Sequence, residues 1–137
     1  MAKREALTNK GIGGSLYVAD RVLFLTHRGK SVLLVDLSYC SAVELERAIR
    51  GLPNLVCTHP RNSLLVLTDY TGVSFDDEAI RAIKETVVFN KPYVKKSAIT
   101  GTENIPKELY GTVKSYSRRE FFVFKTRDEA LTWLVKE

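Results

Sequence analysis

Histidine and cysteine are both scarce in this chain, with two of each among 137 residues. His27 sits in an expected hairpin turn and His59 directly precedes Pro60. Both positions belong at the end of the fold away from the hydroxyl- and acid-bearing loop at Asp69. A Ser-His-Asp or Cys-His arrangement therefore has no histidine to work with. Cys40 and Cys57 lack metal-ligand spacing and do not form a disulfide framework, so a cytoplasmic address is the simplest reading. A helix start beside Cys40 would lower its thiol pKa, but a small buried residue is the plainer role. Long apolar runs are missing too: nothing approaches the roughly 20 residues of a membrane-spanning helix. The opening MAKREALTNKG has no apolar segment after its basic residues and does not read as a secretory signal. Residues 1–14 read as a polar leader and 15–137 as one domain. Gly11-Ile-Gly-Gly14 has no strand before it, which argues against a phosphate loop.

What is present is ordinary globular composition, 45% hydrophobic and 27% charged, with a net charge of +5. The charge is uneven. Between positions 91 and 119, Lys91, Lys95, Lys96, Lys107, Lys114, Arg118 and Arg119 stand against Glu103 and Glu108, a surplus equal to the whole net charge of +5. Lys91, Lys95, Lys96, Lys114, Arg118 and Arg119 form a candidate basic patch for phosphate, an anionic surface or an acidic protein. The window lacks the basic-aromatic alternation of a stacking platform, and no specific nucleic-acid partner is expected.

The apolar pattern predicts an α/β fold. Val22–Thr26 and Ser31–Leu37 are β-rich segments around His27-Arg-Gly-Lys30, where Gly29 supplies a turn. Leu16–Ala19 is a weaker strand candidate. Ser41-Ala-Val-Glu44 has the form of a capping box, followed by Leu45, Ala48, Ile49 and Leu52 at helical spacing until Pro53 breaks the run. Ser63–Thr68 is nearly continuous apolar, as in a strand covered on both faces. Ser74 is expected to cap the next helix, with Ile80, Ile83, Val87 and Val88 as its apolar face. Val94–Thr100 follows as a strand, then a helix from Pro106 through Leu109, Val113 and Tyr116. Phe121–Phe124 is the last strand, and Thr126-Arg-Asp-Glu129 opens a terminal helix. The order ββαβαβαβα implies a mixed, mainly parallel sheet with helices on its faces and an initial antiparallel hairpin.

Ligands on open α/β sheets gather beyond the carboxyl ends of the strands. That edge should carry Asp36 and Ser38, then Asp69, Tyr70, Thr71, Gly72 and Ser74, then Thr100, Gly101 and Thr102, with Lys125 and Thr126 last. Asp36 and Asp69 could act as an acid pair or share a metal, but no third ligand has telling spacing, and hydrogen bonding to loop N–H groups is the simpler role. No cofactor and no metal are expected.

The segment Leu64-Leu-Val-Leu-Thr-Asp-Tyr-Thr-Gly-Val-Ser-Phe-Asp76 resembles the SpoIIAA-like branch of the STAS family, also described as STAS/SEC14-like. Arg28-Gly-Lys30 leading to Val35-Asp36, Asn90-Lys-Pro-Tyr-Val94, Ala98 to Gly101, Phe122-Val-Phe124 and Thr126-Arg-Asp-Glu-Ala-Leu131 extend the likeness from Arg21 to the C-terminus. The resemblance implies a non-enzymatic role in protein-protein regulation. In anti-sigma-factor antagonists an Asp followed by a phosphorylatable Ser or Thr precedes a helix, and Asp69 and Thr71 match, with Tyr70 between them. It therefore implies a regulatory protein partner and an exposed switch hydroxyl at Thr71. The SEC14 side of the likeness implies instead a small amphiphilic ligand in an apolar pocket beneath Phe75, Tyr93, Tyr110 and Tyr116. Self-association as a homodimer is compatible with either role.

Overall fold

The structure, a computed structural model, describes residues 16–19, 21–107, 109, 111 and 122–136. Six strands form one sheet: β1 (Leu16–Ala19), β2 (Val22–His27), β3 (Lys30–Asp36), β4 (Leu64–Asp69), β5 (Val94–Thr100) and β6 (Phe122–Phe124). Their spatial order follows the chain, β1 to β6 without a reversal. The β1–β2 and β2–β3 pairs are antiparallel, whereas β3–β4, β4–β5 and β5–β6 are parallel. This is the mixed, mainly parallel sheet with an initial hairpin that the pattern predicts, and the weak candidate Leu16–Ala19 takes its place as the first edge.

Helices α1 (Ala42–Arg50), α2 (Leu52–Val56) and α3 (Asp77–Asn90) lie on one face, and α4 (Arg127–Leu134) on the other. Strand side chains divide with period two, as the pleat requires. Leu33, Val35, Leu64 and Val66 join the core under α1–α3; Val32, Leu34 and Leu67 join the core under α4. Burial on both faces explains the unbroken apolar runs in β3 and β4.

Local chemistry sets the helix ends. Ser41 and Glu44 complete the predicted capping box: the Glu44 N–H donates to Ser41 Oγ at 3.1 Å and the Ser41 N–H to Glu44 Oε1 at 2.9 Å. Pro53 does not disrupt a helix interior because Gly51 ends α1 and Pro53 falls in the first turn of α2. Ser74 is not the cap of α3. Val73 is buried and Phe75 packs against the core, so the chain stays out of the helix for two more residues, and Asp76 Oδ1 accepts the Ala79 N–H at 2.8 Å. Of the expected apolar face of α3, Ile83 is buried and Ile80 and Val87 pack against the core, with Ala79, Ala82, Thr86 and Asn90 also buried, whereas Val88 is 41% exposed. Ala79 and Ala82 are fully buried, and α3 packs closely against α1.

Among the helical positions after Pro106, Leu109 is buried; Val113 and Tyr116 lie outside the described residues. Trp133 on α4 covers the far edge, its ring centroid 4.7 Å from that of Phe122 and 5.4 Å from that of Phe124. Among the described residues, no helix is long and apolar enough to cross a membrane.

Candidate functional site

Parallel register sets a row of residues across the carboxyl edge: Asp36 pairs with Asp69, Asp69 with Thr100, and Thr100 with Phe124. The two aspartates begin identical turns. Asp36 Oδ1 accepts the Ser38 N–H at 3.1 Å and the Ser38 hydroxyl at 2.6 Å. Asp69 Oδ1 accepts the Thr71 N–H at 3.0 Å and the Thr71 hydroxyl at 2.6 Å. Both carboxylates thus serve the loop-bonding role that the short side chain favours. The loops also continue the sheet, since Leu37 N–H donates to Asp69 O at 3.0 Å, Tyr39 N–H to Thr71 O at 2.7 Å and Tyr70 N–H to Thr100 O at 2.9 Å. The strand-end surface is therefore held by main-chain bonds rather than by side chains alone.

Arg127 closes the row from the opposite layer. It is the first residue of α4, and its Nη2 lies 2.9 Å from Asp36 Oδ1 and 2.7 Å from Asp69 Oδ2, with Nε 2.9 Å from the same Asp69 oxygen. A cation at a helix N-terminus opposes the helix dipole, so this position is locally unfavourable and is offset by the two carboxylates. Burial alone would push the Asp69 carboxyl up. The Thr71 hydroxyl and N–H, with the Arg127 guanidinium, outweigh it and hold Asp69 below the usual carboxylate range. On the near side, Arg21 Nη1 donates to Ser38 O at 3.0 Å and to Asp36 O at 3.3 Å, tying the start of β2 to the same edge.

Two glycines make the close approach of these loops feasible. Gly101 has φ +71, and a Cβ there would collide with Thr71 N and Oγ1. Gly72 has φ +67, and a Cβ there would enter the Tyr39 ring. Tyr39, itself at φ +60 and 75% exposed, lies over Gly72 as an aromatic cover at the rim.

The structure thus brings Asp36, Ser38, Asp69, Thr71, Gly72, Thr100 and Gly101 to one edge. Tyr70 is not on its surface: the side chain is buried in the core beside Phe75, so it does not shield Thr71. Thr71 is half-buried, in contrast to the exposed hydroxyl expected, and its hydroxyl donates to Asp69. Ser74 is exposed, with its N–H donating to Cys40 O, and Thr102 opens a short 3-10 turn. Thr100 Oγ1 is buried without a hydrogen-bond partner among the described residues.

Cys40 is buried, and burial pushes its thiol pKa up despite Arg21 nearby, so the helix-start effect does not prevail. His27 ends β2, at the opposite end of the sheet from Asp69. Among the described residues no cluster of His, Cys, Asp or Glu could hold a metal ion. The described part of the basic patch does not join the carboxyl edge. Lys91, Lys95 and Lys96 lie at the amino end of β5, while Lys114, Arg118 and Arg119 lie outside the described residues. Beneath α1 and α3 there is a cavity of about 60 Å³, lined by Thr68, Tyr70, Thr86, Asn90 and Ser97 among apolar residues. Asn90 Oδ1 is buried without a hydrogen-bond partner among the described residues. Tyr110 and Tyr116, expected over such a pocket, lie outside the described residues.

Sequence reasoning missed Arg127, Arg21 and Tyr39. Arg127 left a signal, because an arginine at the first position of a capped helix runs against the dipole and so requires a partner elsewhere. The chain matches no protein-family model and no curated protein.

Proposed function

We propose that the chain is a non-enzymatic regulatory module that binds a protein partner through the carboxyl edge around Asp69–Ser74, with Thr71 as the switch residue. The observation that carries this reading is the hydrogen-bonded row Thr71–Asp69–Arg127–Asp36, rimmed by exposed Tyr39. The row is a preorganised surface with an aromatic contact and no residue set suited to bond-making chemistry. The resemblance to SpoIIAA-like STAS domains adds the direction of control. A phosphoryl group on Thr71 Oγ1 removes the donor to Asp69 and sets about −1.5 to −2 charges against that carboxylate. Arg127 is the nearby cation able to answer it, so modification alters the edge where the partner docks.

Affinity purification with the wild type, Thr71→Ser and Thr71→Glu tests this reading. Wild type and Thr71→Ser should retain the same partner, and Thr71→Glu should lose it. Identical sets from all three proteins, or no partner from any, would reject it.

The second reading is a carrier or sensor of a small amphiphile, favoured by the cavity and by Asn90 Oδ1, which has no hydrogen-bond partner among the described residues. At about 60 Å³ this space suits a small polar head or water rather than an acyl chain. Native mass spectrometry of gently purified protein separates the readings: a bound mass favours the carrier, and a clean apo mass removes it.

A further inference from the structure

The end of the sheet opposite Asp69 has its own charge character. Helices α1, α3 and α4 all start at the carboxyl edge, where their capping and first-turn residues Glu44, Asp76, Asp77, Glu78, Asp128 and Glu129 gather negative charge. The amino end collects Lys30 at the start of β3, Lys91 after α3, Lys95 and Lys96 at the start of β5, and Lys136 beyond α4. Because α4 is only eight residues long, the sheet face extends past its last turn. A groove of about 300 Å³ opens there, lined by Lys30, Lys95, Lys96 and Lys136 together with Ser31, Ser63, Leu65 and Leu134. None of those lining residues is acidic.

We propose that this groove binds a phosphate group, borne by a soluble phosphorylated small molecule or by the headgroup of an anionic lipid. Lysines from the starts of β3 and β5 and from beyond α4 line one concavity, and its low-dielectric walls concentrate the field of their charges. The set contains lysine and no arginine, which suits a compact tetrahedral anion approached from several sides better than a planar carboxylate gripped by a fork. The C-terminal end of α4 would oppose an anion, but Lys96 neutralises it. Its Nζ donates to Trp133 O at 3.2 Å and Lys136 O at 3.0 Å and lies 4.9 Å from the centroid of the Trp133 ring. These contacts fix one ammonium in the groove wall, with two of its three donors used. Lys95, Lys136 and Ser31 are exposed at the mouth. The volume is at the lower limit of small-molecule sites, enough for a phosphomonoester of a small headgroup.

The test is amide NMR titration with inorganic phosphate and pyrophosphate at low salt, beside flotation with phosphatidylcholine vesicles with and without phosphatidic acid. Saturable shifts should cluster at residues 30, 31, 63, 65, 95, 96 and 136. The double variant Lys95→Gln/Lys136→Gln should weaken pyrophosphate binding by about tenfold or more, since both exposed lysines at the mouth lose their charge. Lys91→Gln, at the same end but outside the groove, and Lys125→Gln, at the opposite edge, should stay within about twofold of wild type. All substituted lysines are exposed, and thermal melts confirm that each variant folds. Binding of the soluble anions without flotation assigns a soluble ligand; flotation that needs both phosphatidic acid and the groove lysines assigns a lipid headgroup. Absence of both kinds of binding overturns the proposal. So does a loss in Lys91→Gln equal to that of the double variant, because the effect would then be diffuse charge.

Discussion

Replacing Arg127 with alanine isolates the contact that joins α4 to the carboxyl edge. The substitution leaves Asp69, whose side chain is 8% exposed, without its cation, while Arg127 and Asp36 are 39% and 34% exposed in the intact protein. Removing one partner from a fully buried ion pair costs about 3–5 kcal/mol. Here solvent screens the outer half of the cluster and Thr71 still donates twice to Asp69, so the loss is about 2 kcal/mol. For a domain of this size that lowers Tm by roughly 6–8 °C. The pH dependence carries the sharper test. Asp69 is held below its ordinary value in the fold, so its contribution is present above the unfolded carboxylate range and fades as pH falls through the lowered value. Without Arg127 the folded carboxyl titrates higher. The stability gap between wild type and variant should therefore be full at pH 7 and narrow steadily as pH falls below about 4 toward the lowered value of Asp69. Urea unfolding followed by circular dichroism across pH 3–8 measures it. A gap under about 0.5 kcal/mol at pH 7, within the range of neutral surface changes, would refute the reasoning. A gap independent of pH would refute the assignment to Asp69.

Two further substitutions probe the backbone of the same edge. Gly101→Ala meets main-chain atoms of Thr71 as well as a positive φ, and should cost about 2–4 kcal/mol in urea unfolding. Gly72→Ala meets only the Tyr39 side chain, which can swing outward, so its cost should be nearer 1–2 kcal/mol and Tyr39 fluorescence should change. Ser41→Ala removes one half of the capping box of α1 and should destabilise by about 1 kcal/mol in the same assay.

Much of this architecture is legible in the chain because local and global preferences agree. The capping box at Ser41, the turn at Gly29 and the apolar runs of β3 and β4 each have one good solution. Ser74 misled because its own cap signal competes with burial of Val73 and Phe75, and packing prevailed two residues downstream at Asp76. Val88 misled because the buried stripe centres on Ala79, Ile83 and Thr86, which leaves an apolar residue at its margin in solvent. The edge residues follow from topology, so Asp36, Asp69 and Thr100 could be placed together from strand ends alone. Arg127 could not. It is 58 residues from Asp69 in the chain, and only the return of α4 across the far face brings the two together.

The central claim is that Thr71 controls binding at the carboxyl edge. Its most direct measurement is the affinity of the partner retained by wild-type protein for Thr71→Ser, Thr71→Glu and Lys91→Gln, each confirmed folded. Thr71→Ser and Lys91→Gln should bind as wild type does, and Thr71→Glu should lose about tenfold or more. Equal affinity across all four proteins would contradict it.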